Sequence, residues 1–193
     1  MNKGFTLVEV LVGITVFVLV ISISIGFFVH VIQSQRKVLA YQELFDQTSF
    51  IMEYMTRGIR MAKRQRTATE PINPQCVPVG RNYELVGGSP SHLRFIRWDR
   101  TLTPPSFVCY EFFLEGATLR VRRGGVTTSL TSPRLEVVNL RFRIEGDGVE
   151  ATRETQLQPR ITIILEVRGR EYDVNRRSSI HFQTTVSQRD LDH

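Results

Sequence analysis

Residues 5–32 read FTLVEVLVGITVFVLVISISIGFFVHVI, and this apolar stretch decides the fold of the chain. It is longer than the roughly 20 residues that an α-helix needs to cross the hydrocarbon core of a bilayer. It also exceeds the apolar region of a secretory signal peptide, and no small-residue cleavage site follows Ile32. The sequence therefore predicts a membrane-spanning helix that is retained, and the small-residue processing signal at Gly4 lies before it.

One carboxylate, Glu9, interrupts the apolar stretch near its start. A charged side chain in the middle of a membrane helix costs about 2.5 to 3.5 kcal/mol on insertion scales. Glu9 therefore needs a partner of opposite charge, and the neighbouring sequence offers none. The alternative is that Glu9 extends toward the lipid headgroups from a simple, uncleaved anchor.

Residues 4–11, GFTLVEVL, resemble the class III signal of type IV prepilins and type II secretion pseudopilins. The resemblance implies cleavage after Gly4 by a prepilin peptidase, methylation of the new amino terminus on Phe5, and a filament of packed helices. It also implies that Glu9 pairs with the methylated terminus of a neighbouring subunit, where opposite charges attract strongly in a low dielectric. By the same resemblance, residues 1–4 are a cytoplasmic leader and everything after Ile32 lies outside the cytoplasm.

The helical pattern continues beyond the membrane segment as an amphipathic stripe. Residues on one face recur every three or four positions: Tyr41, Leu44, Thr48, Ile51, Met55, Ile59 and Ala62. No proline occurs before Pro71, so we expect one helix over about 5–66, transmembrane over 5–32 and amphipathic over 33–66. The stripe must be covered by the domain that follows it.

Five cations occur near the predicted end of this helix: Arg57, Arg60, Lys63, Arg64 and Arg66. Cations stabilise the negative end of a helix macrodipole, and this explanation is sufficient for the cluster. The alternative is a patch that binds polyphosphate or nucleic acid. Such a patch would need aromatic residues interleaved with the cations, or a second basic stripe nearby.

After Thr67 the composition becomes that of a proline-rich loop, so we expect a linker over 67–78 and a globular head over 79–193. Alternating apolar and polar residues predict six strands in the head: His92–Trp98, Phe107–Leu114, Thr118–Arg122, Leu135–Ile144, Ile161–Val167 and Ser179–Val186. A turn at 115–117 should join the second and third strands into a hairpin. One long helix packed on an antiparallel β-sheet head is an α+β fold, and it resembles the pilin architecture.

The two cysteines, Cys76 in the linker and Cys109 in a predicted strand, could form one disulfide outside the cytoplasm. Such a bond would fasten the linker loop to the sheet. Sequence spacing cannot show whether the two sulfur atoms are within reach of each other, so the bonded and the free form both remain open.

The acidic loop EGDGVE, residues 145–150, could give a calcium ion three carboxylates, those of Glu145, Asp147 and Glu150. A hairpin turn at Asp147-Gly148 is the simpler explanation and the one we favour. The chain contains no HExxH, GxSxG or Walker motif, and its two cysteines have no clustered histidine. We therefore expect no enzymatic activity, no cofactor and no zinc site.

The formal net charge is +6, and residues 72–193 contain 17 arginines, no lysine and 14 acidic residues. The basic side chains occupy alternating strand positions, which a solvated strand face explains: Arg94, Arg97, Arg120, Arg122, Arg141 and Arg143. Arginine is nevertheless well suited to phosphate, so a head that binds nucleic acid remains an alternative.

The length of the head resembles that of the larger minor subunits of this family, especially J-type minor pseudopilins. The resemblance therefore implies a minor pilin or minor pseudopilin that acts in a tip or priming complex of a type IV pilus or type II secretion filament. Its partners would be other pilin subunits, the prepilin peptidase and an inner-membrane assembly platform. Two alternatives are a filament-displayed module that binds DNA or a surface, and an uncleaved single-span protein with an unrelated outer domain.

Overall fold

The computed structural model describes residues 4, 6–72, 74–147, 158–170 and 178–189. This part of the chain contains one α-helix and nine strands: α1 (Leu7–Arg60), β1 (Ala62–Lys63), β2 (Tyr83–Leu85), β3 (His92–Asp99), β4 (Ser106–Glu115), β5 (Thr118–Arg123), β6 (Val126–Ser129), β7 (Leu135–Glu145), β8 (Arg160–Gly169) and β9 (Ser179–Ser187). The chain divides into two compact units, 1–42 and 43–193, and α1 contributes residues to both.

In the first unit, α1 exposes apolar side chains on all its faces, as Leu7, Leu11 and Phe17 do. Its hydroxyl groups bond the carbonyl four residues earlier, for example Thr15 Oγ1 to Leu11 O and Ser22 Oγ to Val18 O, both at 2.8 Å. Polar groups paired inside the helix are compatible with hydrocarbon, where no water can satisfy them.

In the second unit, α1 buries the predicted stripe from Leu44 to Ile59 against the sheets. The buried members are Leu44, Thr48, Ile51, Met55 and Ile59, and Met52 and Gly58 join them. The prediction was wrong at Tyr41, which is 48% exposed and belongs to the first unit. The stripe therefore begins where the head begins to cover the helix.

The helix ends at Arg60, whereas the sequence pattern placed its end near Arg66. Ala62 and Lys63 leave the helix and pair with β3 as the short strand β1. The carbonyls at the helix end find partners elsewhere, because Arg189 N donates to Arg60 O at 3.0 Å and Gln188 Nε2 donates to Ala62 O at 2.9 Å. Ala62 is thus buried in a strand pair with β3, where the sequence pattern predicted the last turns of the helix.

The head contains two antiparallel sheets rather than the single sheet expected. The first has the order β1-β3-β4-β5-β6, with β2 on the same edge of β3 as β1, and the second has the order β7-β8-β9. All six predicted strands are confirmed, and the β4–β5 hairpin turns at Gly116, whose φ is +60°. Backbone bonds from Val137 N to Ala117 O and from Phe142 N to Pro90 O join the two sheets. The α+β class is confirmed.

Candidate assembly segment and the polar sites of the head

The start of α1 is built by a short polar motif, Thr6-Leu7-Val8-Glu9. Glu9 N donates to Thr6 Oγ1 at 3.3 Å and to Thr6 O at 3.1 Å, so Thr6 caps the first turn. A threonine followed three residues later by glutamate is the capping-box pattern, and a carboxylate in the first turn also favours the positive end of the helix dipole. This capping signal is visible in the sequence and could have predicted where the helix begins.

The carboxylate of Glu9 contacts no cation within the described residues, and the side chain is exposed. Apolar neighbours on the same helix, such as Leu7 and Val8, are also exposed. Gly4 has open space around its Cα, and Phe5 lies outside the described residues. The pairing expected for Glu9 therefore requires a group from outside the described chain.

Among the described residues, α1 is the one helix that is long and apolar enough to cross a membrane. An 18-residue window within it has a mean hydropathy of 2.7, and none of that window is buried by the rest of the protein. Buried core helices pass the same test of composition, but they are covered by protein, and this segment is not. The exposure of so long an apolar segment supports a membrane anchor.

The two cysteines form the disulfide Cys76–Cys109, with their Cα atoms 5.7 Å apart. The bond holds the loop after β1 over the face of the first sheet that points away from α1. There Cys76, Val77 and Ile96 are buried as a second, smaller core, with Ile72 and Phe107 packed beside them. The predicted linker is thus a covering loop with a core of its own.

The turn that we favoured at Asp147-Gly148 lies partly outside the described residues, because Gly148 is not among them. Glu145 pairs directly with Arg160 across β7 and β8, so the connection between these strands spans residues 146–159 and is not a two-residue hairpin. Asp147 Oδ atoms accept hydrogen bonds from Asn82 N at 2.9 Å and Tyr83 N at 2.8 Å. Burial raises the pKa of Asp147, and these two bonds offset the rise only in part.

The calcium alternative involves three carboxylates, of which the structure describes two. Glu145 Oε1 is 2.9 Å from Arg143 Nε, Asp147 is bonded to backbone amides as above, and Glu150 lies outside the described residues. Over the described ranges, no group of three or more histidine, cysteine, aspartate or glutamate side chains could hold a metal ion.

Two buried carboxylates, Asp99 and Glu111, organise the arginines of the first sheet, and sequence reasoning missed both. Glu111 accepts from Arg94 Nε at 3.0 Å and Arg122 Nη1 at 2.9 Å, and it bonds His92 Nε2 at 3.0 Å. Burial opposes its ionisation, but these partners lower the pKa of Glu111 overall. Arg94 and Arg122 are therefore structural ion-pair partners as well as solvated side chains.

Asp99 accepts hydrogen bonds from Tyr110 Oη at 2.7 Å and from Thr101 N at 2.9 Å, and Arg123 pairs with it. Burial alone would raise its pKa, but these partners lower the pKa of Asp99 to about 2. Burial and the bond to Asp99 raise the pKa of Tyr110 to about 12. Arg97 lies 5.4 Å from the centre of the Tyr110 ring. Some of the arginines expected on a solvated strand face, such as Arg94 and Arg122, are therefore partners of a buried carboxylate.

Comparison with known proteins agrees with the amino-terminal features. Residues 1–25 match the family model described as the prokaryotic N-terminal methylation motif. The Pilin-like protein PilA3 of Thermus thermophilus is 36% identical over 62 residues, which are 32% of this chain. The match spans only 27% of that protein's length. No solved structure matches the chain. The methylation motif and the similarity to a pilin-like protein, taken with the apolar helix and the antiparallel sheets, support a relationship of this chain to type IV pilins and pseudopilins.

Proposed function

We propose that this chain is a minor pilin or J-type minor pseudopilin that is processed by prepilin peptidase and acts in the tip or priming complex of a type IV pilus or type II secretion filament. The observation that carries the proposal is the methylation motif at the start of a helix whose apolar side chains are uncovered. The family is one of structural subunits rather than enzymes, as the absence of catalytic motifs in the sequence led us to expect.

The carboxylate of Glu9 gives a physical reason for assembly after processing, because it needs a cation from another subunit. Cleavage after Gly4 would leave Thr6 and Glu9 on the mature chain, so the cap of the first helical turn would survive processing. The methylated amine of Phe5 on a neighbouring subunit would then supply the cation that Glu9 needs. An ion pair of this kind is favourable in a low dielectric, whereas either charge alone is costly.

The disulfide supports a head outside the cytoplasm. Disulfides form and persist in oxidising compartments and are rare in the cytosol. With Cys76 and Cys109 bonded, we place the head on the extracytoplasmic side of the inner membrane and the leader 1–4 on the cytoplasmic side. The single span between them is the apolar part of α1.

A minor role is supported by the head, in which two antiparallel sheets pack against one helix and a disulfide-held loop covers the far face of the first sheet. This resembles the wide heads of the larger minor subunits. The partners would be other pilin or pseudopilin subunits, prepilin peptidase and the inner-membrane assembly platform. A priming subunit is needed in few copies, so weak expression of this chain should restore filaments in a strain that lacks it.

The deciding experiment measures intact mass and the amino-terminal residue of the chain extracted from membranes with and without the peptidase. We expect methylated Phe5 only where the peptidase is present. Gly4→Ala should block this change, and Gly13→Ala, an equal substitution at an open helix position, should not. An unchanged Met1 terminus in both strains would contradict the proposal and favour an uncleaved anchor.

A further inference from the structure

Strand β9 is the open edge of the second sheet. The strand at the opposite edge, β7, is bonded to the first sheet through Val137 N and Phe142 N. Within the described ranges, β9 is hydrogen-bonded to β8 and to no other strand. An edge of this kind presents unpaired backbone N–H and C=O groups, and these groups can pair with another chain.

The register of β8 and β9 shows which backbone groups of β9 are free. At one end Gly169 N donates to Ser178 O at 3.0 Å. At the other end Gln188 N donates to Pro159 O at 3.2 Å, so the even-numbered residues of β9 bond β8. Bonded and non-bonded positions alternate in an antiparallel ladder. The backbone groups that point away from β8 therefore belong to exposed, odd-numbered residues: Ser179, His181, Gln183, Thr185 and Ser187.

Strand β9 lacks the features that protect a sheet edge from pairing. It contains no proline or lysine, and its register with β8 is continuous over its nine residues. The other edge strands in the described part of the head are short or interrupted, since β1, β2 and β6 have two to four residues and β7 has a bulge between Val137 and Asn139. Short strands, prolines, charges and bulges are the usual protection of an edge. The long, unprotected edge of β9 therefore needs an explanation.

A hollow of about 650 Å³ lies beside the last residues of β9. The end of α1 forms one wall, with Thr56, Arg60 and Met61, and residues 187–189 form the other. Arg189 N donates to Arg60 O at 3.0 Å, so the end of β9 is fastened to the end of the helix. The hollow therefore continues the line of β9 along the side of α1.

The charges of this hollow indicate which kind of segment would fit it. Its carboxylate, Glu53, is paired with Arg57 of the same helix. Arg60 and Arg189 are exposed, and no carboxylate of the described residues pairs with either. A segment that follows β9 to its end would meet these two cations, which carboxylates complement.

An aromatic pair lies nearer the start of β9. The rings of Phe45 and Phe182 have centroids 5.8 Å apart, and Phe45 is 46% exposed. Because α1 contacts β9 at Phe45 and again at Arg60, one side of the helix follows the strand along most of its length. A strand added to β9 would have an apolar contact at Phe45 and a cationic one at Arg60.

We propose that β9 accepts an extended, acidic segment of another protein as a fourth strand of the second sheet, with its carboxylates on Arg60 and Arg189. In strand addition, backbone hydrogen bonds give affinity and side chains at alternate positions give specificity. An antiparallel partner would begin beside Ser187, so its acidic residues would lie at its amino-terminal end. This binding site goes beyond the proposed assembly role and does not depend on cleavage after Gly4.

The test uses the full-length chain in detergent micelles and a peptide of nine residues, the length of β9. The peptide has glutamate at its first two positions, followed by alternating valine and threonine. Amide hydrogen exchange, measured residue by residue by NMR, shows where it binds. The N–H groups of His181, Gln183 and Thr185 should exchange rapidly in the free chain and roughly tenfold more slowly with the peptide. Those of Phe182 and Thr184 are already bonded to β8 and should change much less.

The cations are tested by Arg60→Gln with Arg189→Gln, which should weaken peptide binding roughly tenfold. The backbone bond between these two residues remains in the variant. The matched control removes two exposed cations from β7, on the opposite side of the sheet, by Arg141→Gln with Arg143→Gln. It should change the affinity less than about twofold, because these charges act only at a distance. Equal unfolding midpoints of the two variants would show that both are folded.

Four results would overturn the proposal. The first is that the peptide does not slow exchange at the odd-numbered residues. The second is equal slowing at odd-numbered and even-numbered residues, which would mean general stabilisation without strand addition. The third is equal binding of a peptide with lysine in place of glutamate. The fourth is protection of the odd-numbered residues that grows with protein concentration before peptide is added, which would assign the edge to a second copy of this chain.

Discussion

The two units of the chain use the same helix in opposite ways. Up to Gln42, α1 has apolar side chains exposed on every face, whereas from Leu44 to Ile59 it buries one stripe under the head. In the first unit the apolar surface has to be covered by lipid or by other subunits. In the second unit it is covered by the chain itself. We therefore expect stability of the head to depend on the second unit and assembly to depend on the first.

The largest expected difference comes from removing a buried isoleucine. Ile59 is fully buried in the head, and its carbonyl accepts a bond from Tyr83 Oη at 2.8 Å. Ile59→Ala should lower the free energy of unfolding by about 3 to 4 kcal/mol, since the site loses apolar contacts and gains a cavity. Urea unfolding of the full chain in detergent, followed by Trp98 emission, measures this change.

The matched substitution in the first unit is Ile14→Ala, where the side chain is 59% exposed. It should leave the unfolding transition of the head unchanged within about 0.5 kcal/mol. A loss close to that of Ile59→Ala would mean that the first unit contributes to the stability of the head, and the comparison would fail.

The covering loop should give the next largest effect. The bond Cys76–Cys109 closes a chain segment with a sequence separation of 33 residues. Cys76→Ala with Cys109→Ala should destabilise the head by about 3 kcal/mol, because the unfolded chain regains freedom. Reductant should destabilise the natural chain by a similar amount and leave the double variant unaffected. A variant as stable as the natural chain would show that the second core holds without the bond.

The features that were predicted correctly from the sequence are those that depend on a local pattern of residues. The motif at 4–11, the apolar segment and the stripe from Leu44 to Ile59 have a periodicity that needs no knowledge of distant residues. The end of the helix could not be predicted in this way, since Ala62 leaves it to pair with Arg97, which is far along the chain. Strands β1, β2 and β6 were missed because two to four residues are too few to show alternation.

The arginines of the head illustrate a second limit. Their alternation predicted a solvated face correctly for Arg141, which is exposed. It could not show that Arg94 and Arg122 meet at Glu111, because that requires the register of β3, β4 and β5. Register is set by which faces are buried, and a single sequence gives only part of that information.

The third largest effect on the free energy of unfolding should come from a buried carboxylate of the head, Asp99. The pKa of Asp99 is about 2 in the folded head, below its ordinary value of 3.8. Its stabilising contribution is therefore complete above pH 4 and is lost as the pH falls toward 2. Asp99→Asn should cost about 2 kcal/mol at neutral pH and should flatten the acid limb of the stability curve between pH 4 and 2.

The control for Asp99 is Glu9→Gln in the first unit. It should leave the pH dependence of head unfolding unchanged and reduce filament assembly. Asp147 should show the opposite pH dependence to Asp99. Its pKa is raised in the folded head, so its contribution to stability is lost as the pH increases. If the free energy of unfolding of Asp99→Asn still decreases between pH 4 and 2, the decrease would be assigned to Glu111, whose pKa is also lowered.

The smallest effect on the free energy of unfolding is expected when two glycines of α1, Gly58 and Gly26, are each replaced by alanine. A Cβ at Gly58 would lie 3.3 Å from Phe112 Cζ and 3.4 Å from Phe95 Cζ, whereas a Cβ at Gly26 would meet nothing within 4 Å. Alanine gains about 1 kcal/mol of helix propensity at either position. At Gly58 this gain is opposed by crowding against two fully buried rings, and overpacking of this kind costs about 1 to 3 kcal/mol.

We therefore expect Gly58→Ala to lower the free energy of unfolding of the head by about 1 kcal/mol and Gly26→Ala to leave it unchanged. The same urea titration measures both variants. A more stable Gly58→Ala chain would show that the rings of Phe95 and Phe112 can shift, so that the close approach of helix and sheet is not required. A loss of filaments in Gly26→Ala with an unchanged head would instead assign that glycine to contacts between subunits, where small residues let helices approach closely.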